Sequence, residues 1–461
     1  KNKIFLPDYP YQKDIEFRLI MSELTVFEVD ILTEIVHGSL KTRVPQLAEY
    51  LDVDHSKLLP TLEKLQRTKL FHLDRDSIVV DKEIRKYWEN QIPKFNDDFR
   101  ADMEFLKDLL NKVPIHVLPV WYSIPRTSDD IFSSIIEKYL LTPKIYRRYL
   151  DDLAFDEPIL NEIMNDVFSA PDFKVRAKTL IEKYALPREK FEEFMLQLEF
   201  NLVCCLSYNL RDDRWEEVIT PFSEWRQYLR FQRDSSPKQI EDKSAIKRKH
   251  PHDFGFVQDV TRLIQLSLKK PTAIVEFQQS YTLPPKLQID LFSHLPTETL
   301  TDEYVSTMIG KALQLQLIEI KENQLHSRKI AAAWTEKHIQ EQAIALYRCT
   351  TAQSKAVPGG YIDRNLRETE KCLKRVANQG WIYFEDFSKV CTAPLGDNEP
   401  VTLRNKGKRW KYQIPEYSKE DILTLQQYIF GTLFHSGIVA TGVHDGKLCF
   451  SVTPFGRMTL D

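Results

Sequence analysis

The run from Val44 to Val80 constrains this chain more than any other stretch. It reads Val-Pro-Gln-Leu-Ala-Glu-Tyr-Leu, then Asp-Val-Asp, then His-Ser-Lys-Leu-Leu-Pro-Thr-Leu-Glu-Lys-Leu-Gln-Arg, then Leu-Phe-His-Leu and Ser-Ile-Val-Val. Leu58, Leu62 and Leu65 recur at i, i+4 and i+7, which gives the second of two short helices one buried stripe. Asp54 stands where an N-cap belongs. Pro60 removes a backbone hydrogen bond inside that helix and predicts a kink. The two apolar tetrads that follow read as paired strands. The spacing therefore predicts helix, three-residue turn, helix and hairpin, and similar helix-then-hairpin units recur down the chain.

At 461 residues the chain has room for several such units, and its 42% hydrophobic content is enough to give them cores. The net charge of -3 excludes whole-molecule attraction to a polyanion, so any such binding must come from a local basic face. None of the six cysteines forms a Cys-x-x-Cys pair, and a chain this size needs no disulfide staples. Buried thiols in a reducing cytoplasm, or a nucleus or nucleoid, are expected. No apolar run approaches the roughly 20 residues of a membrane span. Residues 1–20 lack the apolar core of a signal peptide. The sequence starts at Lys1 rather than Met, which leaves room for a preceding segment.

The pattern predicts a first unit within 1–98, a helical connector over 99–154 and a second unit over 155–232. In the second unit Phe191, Phe194, Met195 and Leu198 form the apolar stripe, and Arg211-Asp212-Asp213-Arg214 turns the hairpin. The polar stretch 233–253, with Lys247-Arg248-Lys249-His250, reads as a charged linker. A third unit follows over 254–340 and a fourth, basic one over 341–415. A helix–hairpin unit over 416–461 closes the chain, its strands joined by Asp445-Gly446. Ile219-Thr220-Pro221-Phe222 and Val452-Thr453-Pro454-Phe455 repeat one junction. The expected fold class is α+β, mostly α.

Residues 44 to 80 resemble the general winged-helix family, including MarR-like DNA-binding modules. The segment Leu433-Phe434-His435-Ser436-Gly437-Ile438-Val439, followed by Val452-Thr453-Pro454-Phe455-Gly456-Arg457, is similar to winged-helix segments attached to XPB-type helicases. These resemblances imply tandem winged-helix units joined by helical connectors, and an accessory, DNA-associated module whose motor lies elsewhere.

In such a unit the helix before the hairpin normally meets DNA, and its outward face must be basic or polar. The second unit fails that test, since Glu189, Glu192, Glu193 and Glu199 are expected outside; an acidic helix there suits a protein partner. In the first unit Lys57, Lys64 and Arg67 are offset by Glu63, and Lys57 and Lys64 stand as secondary candidate contacts. The fourth unit passes. At 100° per residue Arg364, Arg367, Lys371, Lys374 and Arg375 share one arc, opposite Leu366, Leu373 and Ala377. Arg404, Lys406, Lys408, Arg409 and Lys411 follow as a basic wing around Trp410 and Tyr412. Residues 361–415 carry 11 Lys+Arg against 7 Asp+Glu, or +4 in a chain of -3.

Motifs for catalysis are absent. There is no Gly-x4-Gly-Lys-Ser/Thr, His-Glu-x-x-His or Gly-x-Ser-x-Gly, and the histidines show no metal-ligand spacing. His116, in an apolar run, reads as a core residue. Asp129-Asp130, Asp151-Asp152 and Asp212-Asp213 read as caps or turns. The expectation is a non-enzymatic DNA-binding protein, in transcription control or DNA maintenance, with no cofactor, no metal and no membrane association. The alternative is a scaffold whose units dock partner proteins.

Overall fold

A computed structural model describes residues 3–354 and 361–461. The fold is α+β, mostly α, and divides into two compact units. The first is Lys1–Phe231 with Thr402–Gln413, the second Gln232–Val401 with Ile414–Asp461.

In the first unit, α1 (Tyr11–Ser22) is followed by α2 (Val26–His37), β1 (Lys41–Arg43), α3 (Val44–Leu51), α4 (His55–Leu65) and the hairpin of β2 (Phe71–Asp74) and β3 (Ser77–Val80). Strand β1 pairs antiparallel with β3, so the sheet order is β1-β3-β2. Helix α4 runs unbroken through Pro60. Asp54 is its N-cap, but the backbone carbonyl, not the carboxylate, accepts the Lys57 and Leu58 N–H groups. After α5 (Lys82–Gln91) come four helices, α6 (Met103–Leu110), α7 (Leu118–Trp121), α8 (Ile131–Ile135) and α9 (Pro143–Asp152). His116, expected in the core, is exposed, because its run turns Ile115 and His116 outward and buries Val117 and Leu118.

The same order then returns. Helix α10 (Pro158–Ser169) leads through β4 (Val175–Arg176), α11 (Ala177–Lys183) and α12 (Arg188–Phe200) to β5 (Cys205–Arg211) and β6 (Arg214–Thr220), with β4 against β6. Helix α13 (Ser223–Asp234) follows. Both repeats share one core, in which Leu58, Leu62 and Leu65 join Phe191, Met195 and Leu198.

The second unit holds two more copies. Strand β7 (Lys247–Arg248) comes first. One copy then runs α14 (Gly255–Lys269), β8 (Thr272–Ala273), an inserted hairpin β9 (Val275–Phe277) and β10 (Ser280–Thr282), α15 (Pro285–Leu291), α16 (Asp302–Gln314), β11 (Ile318–Lys321) and β12 (Gln324–Ser327). Helices α17 (Ala331–Glu336) and α18 (Ile339–Ser354) lead to the other copy. It runs α19 (Ile362–Lys374), β13 (Ile382–Tyr383), α20 (Phe384–Val390), the ribbon β14 (Thr402–Lys406) and β15 (Arg409–Gln413), α21 (Lys419–Gln427) with a π turn Tyr428–Leu433, β16 (Val439–His444), β17 (Lys447–Val452) and α22 (Pro454–Leu460). Strand β13 pairs with β17, and β16 with β7.

Two expectations are corrected here. Lys247–Arg248 is an edge strand, and His250 beside it is buried, so the basic run is not a solvated linker. The helix at 363–378 and the helix–hairpin at 416–461 do not belong to separate units. They are the first and last parts of one repeat, because Ile382–Tyr383 pairs with the final hairpin, and a helix, not a further strand, occupies 384–390.

Each final hairpin is entered in the same way. A residue in the left-handed region closes the preceding helical turn, and two buried apolar residues follow: Lys69 before Leu70-Phe71, Leu202 before Val203-Cys204, Gln316 before Leu317-Ile318, Gly437 before Ile438-Val439. In the last three the next N–H reaches five residues back, as Val203 to Leu198, Leu317 to Ala312 and Ile438 to Leu433. Glycine is required only in the fourth, where a Cβ on Gly437 would sit 2.8 Å from the Phe254 ring.

Helix α1 is locked to α12 by charge. The buried Arg18 guanidinium donates to Glu192 at 2.8 Å and to Glu199 at 2.9 and 3.4 Å. Glu199 also accepts the Leu206 N–H, and Arg188 donates to Glu192. Burial acts to lower the Arg18 pKa, but Glu199 and Glu192 outweigh it and the group stays charged. Arg18→Leu should strand two buried carboxylates and cost about 3–5 kcal/mol, read by urea unfolding; a loss below about 1 kcal/mol would contradict this account.

Glu224, on α13, accepts the Met103 N–H at 2.9 Å, and burial pushes its carboxyl up to about 8 from an ordinary 4.5. The folded state therefore keeps this proton longer than the unfolded state does. Its contribution is full below 4.5 and is lost as pH rises toward 8. Glu224→Gln should remove that part of the slope, so the stability difference between variant and parent should grow across this window in equilibrium melts.

Candidate nucleic-acid interface

The ribbon β14–β15 alternates two faces. Leu403 and Tyr412 pair across one face, with Asn405 opposite Trp410. Leu403 N–H donates to the Leu141 carbonyl at 2.7 Å, and Tyr412 OH to the Leu140 carbonyl at 2.7 Å. Tyr412 packs on Trp225 and Tyr228, and Trp410 stands edge-on to Phe132 and donates to Glu104. This face anchors the ribbon within the first unit.

The other face sets Arg404 directly opposite Lys411 and Lys406 directly opposite Arg409, all exposed. The two-residue turn Gly407-Lys408, with Gly407 at φ +70°, adds a fifth cation at the tip. Like charges directly across a ladder repel. Among the described residues no carboxylate lies within 4.0 Å of Lys406, Lys408, Arg409 or Lys411; Arg404 bonds Thr402 Oγ1. Internal charge balance thus leaves four cations of this ribbon unanswered, an arrangement that a bound polyanion would relieve.

The cations of α19 are used differently. Arg364 donates to the Gly396 carbonyl and lies over the Tyr361 ring; Arg375 donates to Val390 O and Arg367 to Asp363 O. Lys371 pairs with Glu368 at 2.5 Å, while Lys374 is exposed. The ribbon belongs to the first unit and α19 to the second, so the expected basic helix with an adjoining basic wing is not one module. Sequence order misled here because the ribbon is an insertion between α20 and α21 and is not the hairpin that ends its repeat.

The helices that precede the final hairpins differ in access. Glu192 and Glu199 of α12, expected outside, are fully buried against Arg18, and Leu196 and Phe200 are buried too. Of the four glutamates only Glu189 is exposed, and Glu193 pairs with Lys190, so the acidic face expected of the second repeat is reduced to one turn. In α16, Tyr304, Val305, Met308, Ile309 and Ala312 are buried, and Ser306 hydrogen-bonds Ser280 of the inserted hairpin. On α4, Lys57 is exposed and Lys64 is paired with Glu28 at 2.8 Å.

One cluster has no local signature in the sequence because its members lie 9 and 35 residues apart. His250 and His294 meet the buried Asp259 at 3.1 and 2.9 Å. Tyr304 OH and Arg262 also donate to it, at 2.7 and 3.0 Å. The His252 N–H donates to His250 Nδ1, which places the ring proton on Nε2, facing Asp259. That tautomer offers no lone pair to a cation, and Arg262 already supplies the positive charge. The cluster is a hydrogen-bonded support for α14 and α16. The adjacent His294 is held below its ordinary pKa, mainly by burial.

Comparison with known proteins returns no family match for the chain and no similar curated protein. Among the described residues no helix is long and apolar enough to cross a membrane.

The unrelieved repulsion makes a direct prediction. Lys406→Gln should stabilise the protein by about 0.2–1 kcal/mol, measured by thermal or urea melting. A destabilised variant would show that the cation serves the fold.

Proposed function

We propose that this chain is a non-enzymatic nucleic-acid-binding protein built from four winged-helix-like units, acting in transcription control or DNA maintenance. Its phosphate contact is the ribbon Thr402–Gln413, with the cations of α19 subordinate. The observation that carries this reading is the cross-strand pairing of Arg404 with Lys411 and Lys406 with Arg409 on an exposed face. A two-stranded ribbon fits the major groove of B-form DNA, where no second helix is needed. Successive pairs on one ribbon face are separated by about 7 Å, close to the separation of neighbouring phosphates along a strand. Each pair therefore suits one phosphate.

The scaffold reading keeps one observation of its own. The faces of α12 and α16 that would enter a groove are buried within their own units. In the second and third repeats the winged-helix-like arrangement therefore works as a packing module.

The test is fluorescence anisotropy of a labelled random-sequence duplex across a salt series. With two to five phosphates neutralised, log affinity should fall against log salt with a slope of roughly -2 to -4.5. Lys406→Glu/Arg409→Glu should abolish most binding, and Arg367→Glu/Lys371→Glu should reduce it far less. No binding at low salt, or binding indifferent to the ribbon, would overturn the assignment and favour the scaffold.

A further inference from the structure

A second cationic feature in the first unit owes nothing to the ribbon. A pocket of about 260 Å³ is enclosed by the face of β5 and β6 that carries Ser207, Asn209 and Thr220, by α13, and by residues 99–101. Arg100, Lys174, Arg226 and Arg230 line it, and no acidic residue does. Asp172, outside the lining, grips two of these cations. It accepts from Arg226 Nη2 at 2.9 Å, from Arg230 Nη2 at 2.6 Å and from Arg230 Nε.

The grip has a conformational cost. Asp172 and Phe173 are consecutive non-glycine residues at φ +60° and +54°. Such a backbone persists only where the surrounding contacts over-determine it. The strained corner fixes two guanidinium groups and directs the chain into Lys174. Among the described residues no carboxylate lies within 4.0 Å of Arg100 or Lys174. The side chains of Ser207, Asn209 and Thr220 likewise have no hydrogen-bond partner among the described residues.

We propose that this pocket binds a phosphate group, with Arg100 and Lys174 supplying charge and Ser207, Asn209 and Thr220 supplying hydrogen bonds. Its chemistry is that of phosphate recognition: cations at the walls, neutral donors on the floor, and little apolar surface for a base or lipid chain. The volume suits inorganic phosphate or pyrophosphate, or one phosphate of a larger molecule. This assignment does not depend on the ribbon or on DNA.

The test is isothermal titration of the full chain with inorganic pyrophosphate, beside Lys174→Met and Arg100→Ala/Lys174→Met variants and the Lys406→Glu/Arg409→Glu ribbon variant. Saturable binding by the parent and the ribbon variant, weakened at least tenfold in both pocket variants, is expected. Circular dichroism melts should show all chains folded; Lys174 is half-exposed, so its single substitution keeps the test valid if the double variant is unstable. Pyrophosphate that displaces a labelled duplex would identify the bound group as nucleic-acid backbone, whereas simultaneous binding would identify a free phosphate ligand. Absence of saturable binding by the parent, unchanged affinity in the pocket variants, or loss confined to the ribbon variant would overturn the proposal.

Discussion

A single guanidinium in a dry interior governs the first unit. Arg18 sits on the opening helix, and its partners Glu192 and Glu199 sit on a helix of the second repeat. Withdrawing three charges from water is unfavourable unless each finds its counterpart, so the arrangement tolerates little variation in register between α1 and α12. The network spreads outward. Arg188 shares Glu192 with Arg18 and also reaches Glu217, whose carboxyl is pushed up to about 7, mainly by burial. Nearby, Asp14 accepts from Tyr9, Tyr87 and Lys112. Lys94, buried in the same region, falls to about 8, chiefly through burial and then the field of Arg18. Apolar packing supplies most of the driving force for folding, and these charges are tolerated within it because each is matched.

The same constraint decides what the second repeat can do. With Glu192 and Glu199 buried against Arg18, α12 leaves only Glu189 and Lys190 of its first turn exposed. In the third repeat the inserted hairpin β9–β10 reaches a similar outcome by different means, laying Ser280 against α16. Repetition of a fold therefore does not repeat a surface. Each copy has one face that its relatives could expose, and packing within the unit has claimed that face in at least two of them.

Much of this architecture was legible in the sequence. Leu58, Leu62 and Leu65 marked α4, the turns Asp212-Asp213 and Asp445-Gly446 marked two hairpins, and the junction Thr-Pro-Phe recurred where a hairpin passes into a helix. Partnership at long range was not legible. Glu192 and Glu199 lie seven residues apart on one face of an apolar helix. That spacing asks for a buried cation, yet nothing local points to Arg18. For the same reason His250, Asp259 and His294 could not be joined. The sequence groups the cations of 404–411 but places them on a wing, since sequence order alone does not distinguish a terminal hairpin from an inserted one. Alternation was the informative clue: with Leu403 and Tyr412 inward, Arg404 and Lys411 must share the outward side.

The discontinuity of the first unit bears on how the molecule is made. Residues 402–413 complete a unit whose other residues end at Phe231, and they cover Trp225, Tyr228 and the Leu140–Leu141 carbonyls. During synthesis the amino-terminal portion therefore emerges with an aromatic patch uncovered and waits while a long intervening segment is translated. A ribosome that stalls before residue 413 would release a chain whose first unit lacks its final strands.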